Sequence, residues 1–366
     1  MLRRIVCTAV CLLLISLLIA SGAGAGFPRG DALVEQTDNQ TLWIEVPKEA
    51  QEAALEMWTR EARRAAQPLT FPAGPVEPLE REAVETMFGE PGSAPGGSPK
   101  PGANAVARRQ FPEEWAAMAA ALEADDSTFG SAGVYTSYLA NRYTTMHKRF
   151  PYKAVGRVYI TGGGYCSGAV ISSNNIVVTA AHCVYDTDTN EWKSGWTFVP
   201  ADRDGAAPYG SFPATRARIL TAWRDASSSM AGRRYDVALI RLGKNSAGKT
   251  VTYYTGWLGR SWNYGYVQHM HAIGYPSNLS SGKYTYVCAA ESFKQATDIL
   301  GMGCNMMHGS SGGPWIRVFA PEQSGANNYV NSVVSGGLSG PTWGNTFYGA
   351  RFSSSNIVPL CTAEGC

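Results

Sequence analysis

The stretch His308-Gly309-Ser310-Ser311-Gly312-Gly313-Pro314 sets two serines inside a run of glycines, near the end of a 366-residue chain. Glycine tolerates strained backbone and lets a substrate carbonyl approach main-chain N–H groups, so a serine in such a run is a common way to expose a nucleophile. Alone, the string fits a plain turn equally well. Its meaning depends on the rest of the chain.

Around it, from about Tyr143 onward, the sequence breaks into short apolar or alternating runs bounded by Gly, Pro, Asn and Ser. They are Gly156 to Ile160, Cys166 to Ile171, Ile176 to Ala181, Trp196 to Val199, Ala217 to Leu220, Val237 to Leu242, Val267 to Ile273, Tyr284 to Ala289, Pro314 to Val318, Ser332 to Val334 and Thr346 to Phe352. Roughly a dozen such runs predict an all-β domain of barrel or sandwich class. Helices and strands do not alternate, which argues against a doubly wound α/β sheet. The residues before Cys361 are compatible with a closing turn or a short helix.

The chain is 45% hydrophobic and 16% charged, with a formal net charge of +2. This is the balance of a soluble protein with a sizeable core, and it gives no reason to expect nucleic acid or an anionic membrane as partner. At the N-terminus, Arg3 and Arg4 precede the apolar run Leu12 to Ala20, and Ala23-Gly24-Ala25 offers a small-residue cleavage site. Residues 1–25 therefore read as a signal peptide. The run falls short of the ~20 residues that span a bilayer, so no membrane association is expected after cleavage. Removing the signal also removes Cys7 and Cys11. It leaves Cys166, Cys183, Cys288, Cys304, Cys361 and Cys366, an even set in an exported protein. Without a Cys-x-x-Cys pair, disulfides are the better reading than a zinc site.

Residues 26–142 differ in character. Lys48 to Ala66 is rich in helix formers, and a second short helix is predicted over Glu113 to Ala124. Between them, Gln67 to Asn104 includes PGSAPGGSPKPG, which reads as a Pro/Gly-rich linker with little reason to pack. An independent binding domain and a removable pro-segment are the alternatives. The weak core potential and the basic pairs Arg63-Arg64, Arg108-Arg109 and Lys148-Arg149 favour the pro-segment, with the functional domain at 143–366.

Three positions carry the chemistry: His182 in Thr179-Ala180-Ala181-His182-Cys183, Asp236 in Tyr235-Asp236-Val237-Ala238-Leu239-Ile240, and Ser311. Nucleophilic catalysis by serine needs a base for the hydroxyl proton and a carboxylate to orient the imidazole. Histidine suits the base because it titrates near neutrality. Each residue has a bland reading, as a core histidine, a turn cap and a loop serine. Jointly, in this order and context, those readings lose their weight.

TAAHC, DVALI and GSSGGP in the order His, Asp, Ser resemble the signature of the chymotrypsin-like (trypsin-like) serine proteases. FPYKAVGRVYI, YDTDTNEW and CNMMHGSSGGPW are similar to the secreted bacterial and fungal branch that includes V8-like glutamyl endopeptidases. The resemblance covers about Tyr143 to Leu360 and implies two six-stranded antiparallel β-barrels with the active site in the cleft between them. It implies His182 as general base, Asp236 as its orienter and Ser311 as nucleophile, with the N–H groups of Gly309 and Ser311 as oxyanion hole. Ser310 is the rival nucleophile; the family motif puts the reactive serine directly before Gly-Gly. Ser335 resembles the serine that hydrogen-bonds the aspartate, and with Gly336 and Gly337 it starts the strand that aligns substrate. Asn305, Met306 and His308 fall at the specificity pocket. The family has a bridge at Cys166–Cys183; Cys288–Cys304 would tie the strand before the pocket to the nucleophile loop, and Cys361–Cys366 remains.

The sequence also departs from the family. The aspartate that precedes the nucleophile in trypsin, and receives the new N-terminal ammonium on activation, is here Ser310. The position six before Ser311 is Asn305, so the carboxylate that selects Lys or Arg is missing. Gly336, Gly337 and Leu338 stand where glutamyl endopeptidases carry a histidine. Asp186 to Asn190 begins like a calcium loop but lacks the later ligands and reads as a polar turn. His269 and His271 alternate on one side of a strand without further ligands, so no metal or cofactor is expected. The expected protein is a secreted, monomeric serine endopeptidase acting on protein or peptide substrates. The alternatives are a catalytically silent homologue acting as a binding module, and a strictly glutamate-specific endopeptidase.

Overall fold

The computed structural model describes residues 35–70, 89–120, 135–140, 146–226, 230–337 and 345–366. The expected signal peptide, residues 1–25, lies outside them. Six strands, Val155–Ile160, Gly164–Ser172, Ile176–Thr179, Ala238–Leu242, Phe212–Leu220 and Thr197–Pro200, pair antiparallel in that order, and the last closes on the first. A second ring joins His269–Gly274, Tyr286–Ala296, Ile299–Gly303, Thr346–Arg351, Tyr329–Gly337 and Pro314–Arg317, again closed. The chain therefore folds as two closed six-stranded antiparallel barrels, as expected. Closure hydrogen-bonds strands all round, which an open sheet cannot do.

The apolar runs fill the barrels. Val158, Val170, Val177, Ile219 and Ile240 pack inside the first, and Met270, Leu300, Trp315 and Phe347 inside the second, where the Trp315 and Phe347 rings stack at 4.9 Å. A further buried cluster, including Ile171, Leu258, Ile273 and Val333, draws on both barrels. The strand Ile299–Gly303 was not expected, because two glycines dilute its apolar pattern. Gly301 passes beneath the Phe293 ring, which would sit 2.6 Å from a Cβ there. The chain ends in the helix Ile357–Glu364, where Asn356 accepts from the Ile357 N–H at its start. The buried Glu364 takes Arg218 Nε at 2.7 Å and Arg241 Nη2 at 2.9 Å.

The stretch before residue 143 contributes strands to both barrels. Thr41–Glu45 pairs with Arg216 to Leu220, where that strand runs past Thr197–Pro200, and Tyr135–Leu139 with Tyr286 to Ala290. Gln67–Pro68 runs parallel to Gly164 and Tyr165. Contrary to expectation, part of the Pro/Gly-rich stretch packs: Gly92–Ala94 pairs with Gly259–Trp262. Backbone pairing needs no apolar side chain. A Cβ on Gly92 or Gly97 would meet the Trp262 or Trp257 ring at 2.4 Å and 2.2 Å. The small residues that resemble a linker are what let the chain lie on those rings.

The expected helix over residues 48–66 is two helices, Lys48–Met57 and Arg60–Ala65. They part where Trp58 turns in against Tyr159, with centroids 4.7 Å apart, and Thr59 caps the second helix by accepting from Ala62 N. The later helical region is Ala103–Gln110 followed by Pro112–Ala120, with proline at the first helical position, where its missing N–H costs nothing. Arg63, half of a basic pair, is buried. It donates to Trp58 O at 2.6 Å, Gly205 O at 2.7 Å and Glu114 Oε1 at 2.7 Å.

His147 is enclosed, with Nε2 2.9 Å from Met118 Sδ of the helix Pro112–Ala120. Burial, with the Arg203 and Lys148 cations nearby, holds its pKa well below the ordinary 6.5. As pH falls below that value the unfolded chain takes up a proton the folded chain refuses, so stability is lost on acidification. His147→Gln is expected to shrink the fall in Tm between about pH 7 and about pH 5; an unchanged fall would assign it to other groups.

Candidate active site

The first barrel carries the base and its partner. His182 lies in the 3-10 turn Ala181–Cys183, which follows the strand Ile176–Thr179 and is fixed by a Cys166–Cys183 disulfide. Asp236 lies between the 3-10 turn Met230–Tyr235 and the strand Ala238–Leu242. The two meet across the end of the barrel. Asp236 Oδ1 accepts from His182 N at 2.9 Å, and Oδ2 accepts from His182 Nδ1 at 2.8 Å. An ionised carboxylate only accepts, so the imidazole proton must reside on Nδ1, which leaves the Nε2 lone pair free.

Asp236 is fully buried and has two further partners. Ser335 Oγ donates to Oδ2 at 2.5 Å, and Arg233 Nη1 stands 3.7 Å from the same oxygen. Burial alone would raise its pKa. The His182 imidazole, the Arg233 guanidinium and the Ser335 hydroxyl overcome that and hold it below the ordinary carboxylate value. It stays ionised over the range in which an imidazole titrates.

Ser311 comes from the second barrel, on the loop between Ile299–Gly303 and Pro314–Arg317. It is fully buried, and its Oγ and His182 Nε2 are both enclosed without a hydrogen-bond partner among the described residues. Two unpaired buried polar atoms are the groups that a serine–histidine proton transfer would use. The rival Ser310 is committed elsewhere, since its Oγ donates to Met307 O at 2.5 Å. Gly309 and Gly312 both have positive φ, +87° and +76°, and a Cβ on either would strike Tyr275 O at 2.6 Å or Thr179 Oγ1 at 2.1 Å. Only glycine fits the loop at these points.

The remaining pocket candidates are partly assembled. Asn305 is half-buried and its carbonyl accepts from Asn278 Nδ2 at 2.8 Å. Met306 is buried with Cys304 and Trp315 in the core of the second barrel, whereas Met307 is the exposed methionine. His308 is half-buried. Gly336 is buried against the Tyr348 hydroxyl, 2.4 Å from where a Cβ would sit, and Gly337 ends the strand begun at Tyr329. Leu338 lies outside the described residues. The Cys288–Cys304 and Cys361–Cys366 pairings are also formed. A cleft of about 320 Å³ beside His182 is lined by Tyr185, Asp186, Trp223, Arg233 and, from the N-terminal stretch, Leu69 and Thr70. Asp186 accepts from the N–H groups of Asp188 and Thr189, as a polar turn does. Cys166 and Cys183 adjoin His182 but are bonded to each other, so they offer no thiolate to a metal. Sequence reading missed Arg233, Asn278 and Ser167. Arg233 alone had a local signal, three residues before Asp236 in a helical turn.

Residues 166–318 match the family model for a trypsin-like peptidase domain. A glutamyl endopeptidase of Bacillus licheniformis is 34% identical over 106 residues, 29% of this chain and 31% of that protein. An extracellular metalloprotease of Bacillus subtilis, so named, is 34% identical over 115 residues, 30% of this chain and 33% of that protein. The chain thus spans about a third of the length of the curated relatives it matches. The crystal structure of the protease Anisep from Arthrobacter nicotinovorans superposes with a TM-score of 0.50 at 29% identity, covering 58% of this chain and 96% of that one. With its two closed barrels the chain has the chymotrypsin fold, its residues 166–318 match a trypsin-like peptidase domain, and it is similar to a glutamyl endopeptidase over about a third of that protein.

Proposed function

We propose that the protein is a secreted serine endopeptidase working through an acyl-enzyme. The observation that carries the reading is the Asp236–His182 pair, whose geometry fixes the proton on Nδ1, together with the enclosed His182 Nε2 and Ser311 Oγ, both without a partner among the described residues. Ser311 Oγ attacks the scissile carbonyl carbon and its proton passes to His182 Nε2. The N–H groups of Gly309 and Ser311 receive the oxyanion. The C–N bond then breaks as Nε2 returns the proton to the leaving amine, and a water repeats the sequence to release the acid. In unliganded sites the serine–histidine bond is commonly long and tightens only with substrate bound.

Export accords with the signal-like N-terminus, with three disulfides and with the extracellular relative. No helix among the described residues is long and apolar enough to cross a membrane. Asn305 in place of a carboxylate removes the basis for Lys or Arg selection. Similarity to a glutamyl endopeptidase supports an acidic preference, with the half-buried His308 as the candidate partner of a substrate carboxylate. Full burial of Ser311 favours the second reading, a silent homologue that binds without cleaving.

One experiment separates them. A fluorophosphonate probe should label the purified protein, and Ser311→Ala should not be labelled. Absence of labelling in the parent, or equal labelling of the variant, would sink the peptidase reading. A peptide library cleaved by the labelled species then gives the residue preference directly.

A further inference from the structure

Ser311 belongs to the second barrel and His182 to the first, so their separation depends on what joins the two. Ser167 is a fully buried residue of the first-barrel strand Gly164–Ser172, and all its polar atoms are engaged at that joint. Its N–H donates to Ser311 O at 2.8 Å. Its Oγ donates to Gly309 O at 2.8 Å and accepts from Tyr275 N at 3.0 Å. Its carbonyl accepts from Thr179 Oγ1 at 2.8 Å, on the strand that leads into His182.

The consequence follows from peptide planarity. A trans peptide points its C=O and N–H in opposite directions, so anchoring carbonyls decides where the N–H groups point. Four consecutive carbonyls are anchored: His308 O by Ser277 N at 2.8 Å, Gly309 O by Ser167 Oγ, Ser310 O by Gly313 N at 2.8 Å, and Ser311 O by Ser167 N. The N–H groups of Gly309 and Ser311 have no partner among the described residues. Of the four anchors, only the one on Gly309 comes from a side chain. By the same rule the Gly309 and Ser311 N–H groups are aimed by the anchors on His308 O and Ser310 O, and Ser167 Oγ holds the Gly309–Ser310 peptide between them, at the glycine whose missing Cβ leaves its backbone most free to rotate.

We propose that the Ser167 hydroxyl is a positioning residue of the active site, holding the Gly309–Ser310 peptide and tying the nucleophile loop to the barrel that carries His182. That peptide joins the two that carry the Gly309 and Ser311 N–H groups, so holding it keeps both donors in place without an ion pair at position 310. The proposal rests on the serine-peptidase reading.

The test uses the full chain with active sites titrated to completion by fluorophosphonate. Ser167→Ala is expected to lower kcat per titrated site by ~10- to 100-fold, the scale of a displacement near 1 Å, with KM little changed. Affinity for a peptide boronic acid, which needs the oxyanion hole, should fall by the same factor, and Ser167→Thr should restore both. Wild-type kcat per titrated site in Ser167→Ala, with only a lower Tm, would overturn the proposal. So would a Ser167→Thr variant as impaired as alanine. If the alanine variant does not fold, Ser167→Cys, whose thiol is a poor donor, is expected to show the same kcat loss, and wild-type kcat in it would overturn the proposal. A parent protein that neither cleaves nor labels would defeat the peptidase reading separately. The clamp would then be read from hydrogen exchange at the Tyr275 amide, expected to lose protection in Ser167→Ala; unchanged protection would overturn it.

Discussion

Ser311→Ala is expected to lower kcat by about 10⁶-fold with KM little altered, the loss seen when the nucleophile of such a triad is removed. The selectivity of the effect follows from the geometry. Ser311 Oγ makes no hydrogen bond to any described residue, so its removal strips none of these contacts and should leave Tm nearly unchanged. Ser310 cannot take over, since its hydroxyl is held on Met307 O at 2.5 Å and its side chain packs against Gly274. The double variant Ser310→Ala/Ser311→Ala should therefore be no less active than Ser311→Ala. Asp236→Asn belongs to the same series with a smaller loss, about 10⁴-fold. An amide facing Nδ1 favours the tautomer with its proton on Nε2, which then cannot accept from Ser311. Unlike the serine change, it should also lower Tm, because it leaves the Arg233 guanidinium buried without its carboxylate. Steady-state kinetics on a cleaved peptide, with thermal melts alongside, would check the series; a Ser311→Ala loss below about 10²-fold would mean that Ser311 is not the nucleophile.

The three residues of the proposed triad stand out in the sequence because each sits in a short string whose neighbours are fixed by the same local geometry: the turn after a strand for His182, the entry to a strand for Asp236, the glycine loop for Ser311. The two barrels were legible because their strands are apolar enough to register as runs. Ser167 was not, since its importance lies in partners about 110 to 140 residues away and nothing beside it in the sequence marks it. Asn278, which braces Asn305 O and Met307 N, escaped notice for the same reason. The N-terminal stretch misled for a different one. Its own side chains show little core potential, whereas much of what holds it is backbone pairing to barrel strands and polar contacts from barrel residues. Arg63 O, for example, receives Arg157 Nη1 at 3.3 Å and Tyr159 Oη at 3.5 Å.

Those contacts set the other large effect. A chain that begins at residue 143 is expected not to fold to a stable, active protein when made alone. Removing the preceding residues strips Leu42, Ile44 and Trp58 from buried positions, at ~1.5–3 kcal/mol for each such side chain. That loss alone rivals a typical total stability of about 5–15 kcal/mol. Burial pushes the Asp202 carboxyl pKa up even beside Arg157, and excision takes away the Arg63 guanidinium and carbonyl that help satisfy this group of buried charges. Arg218 also loses Thr41 Oγ1 at 2.5 Å and Asp38 Oδ2 at 3.5 Å. Cutting without removal should behave differently. The exposed pair Arg108-Arg109 is open to a trypsin-like enzyme, whereas the Arg63 side chain is enclosed. No cysteine lies between residues 26 and 142, so only non-covalent contacts would hold the nicked fragments. They are expected to co-elute on size exclusion under native conditions and to separate in denaturant. If the fragment beginning at residue 143 is instead soluble alone, with the Tm and activity of the full chain, the N-terminal strands are a dispensable cover. If it is not, maturation must leave them in place, and Leu69 and Thr70 remain as a wall of the cleft beside His182.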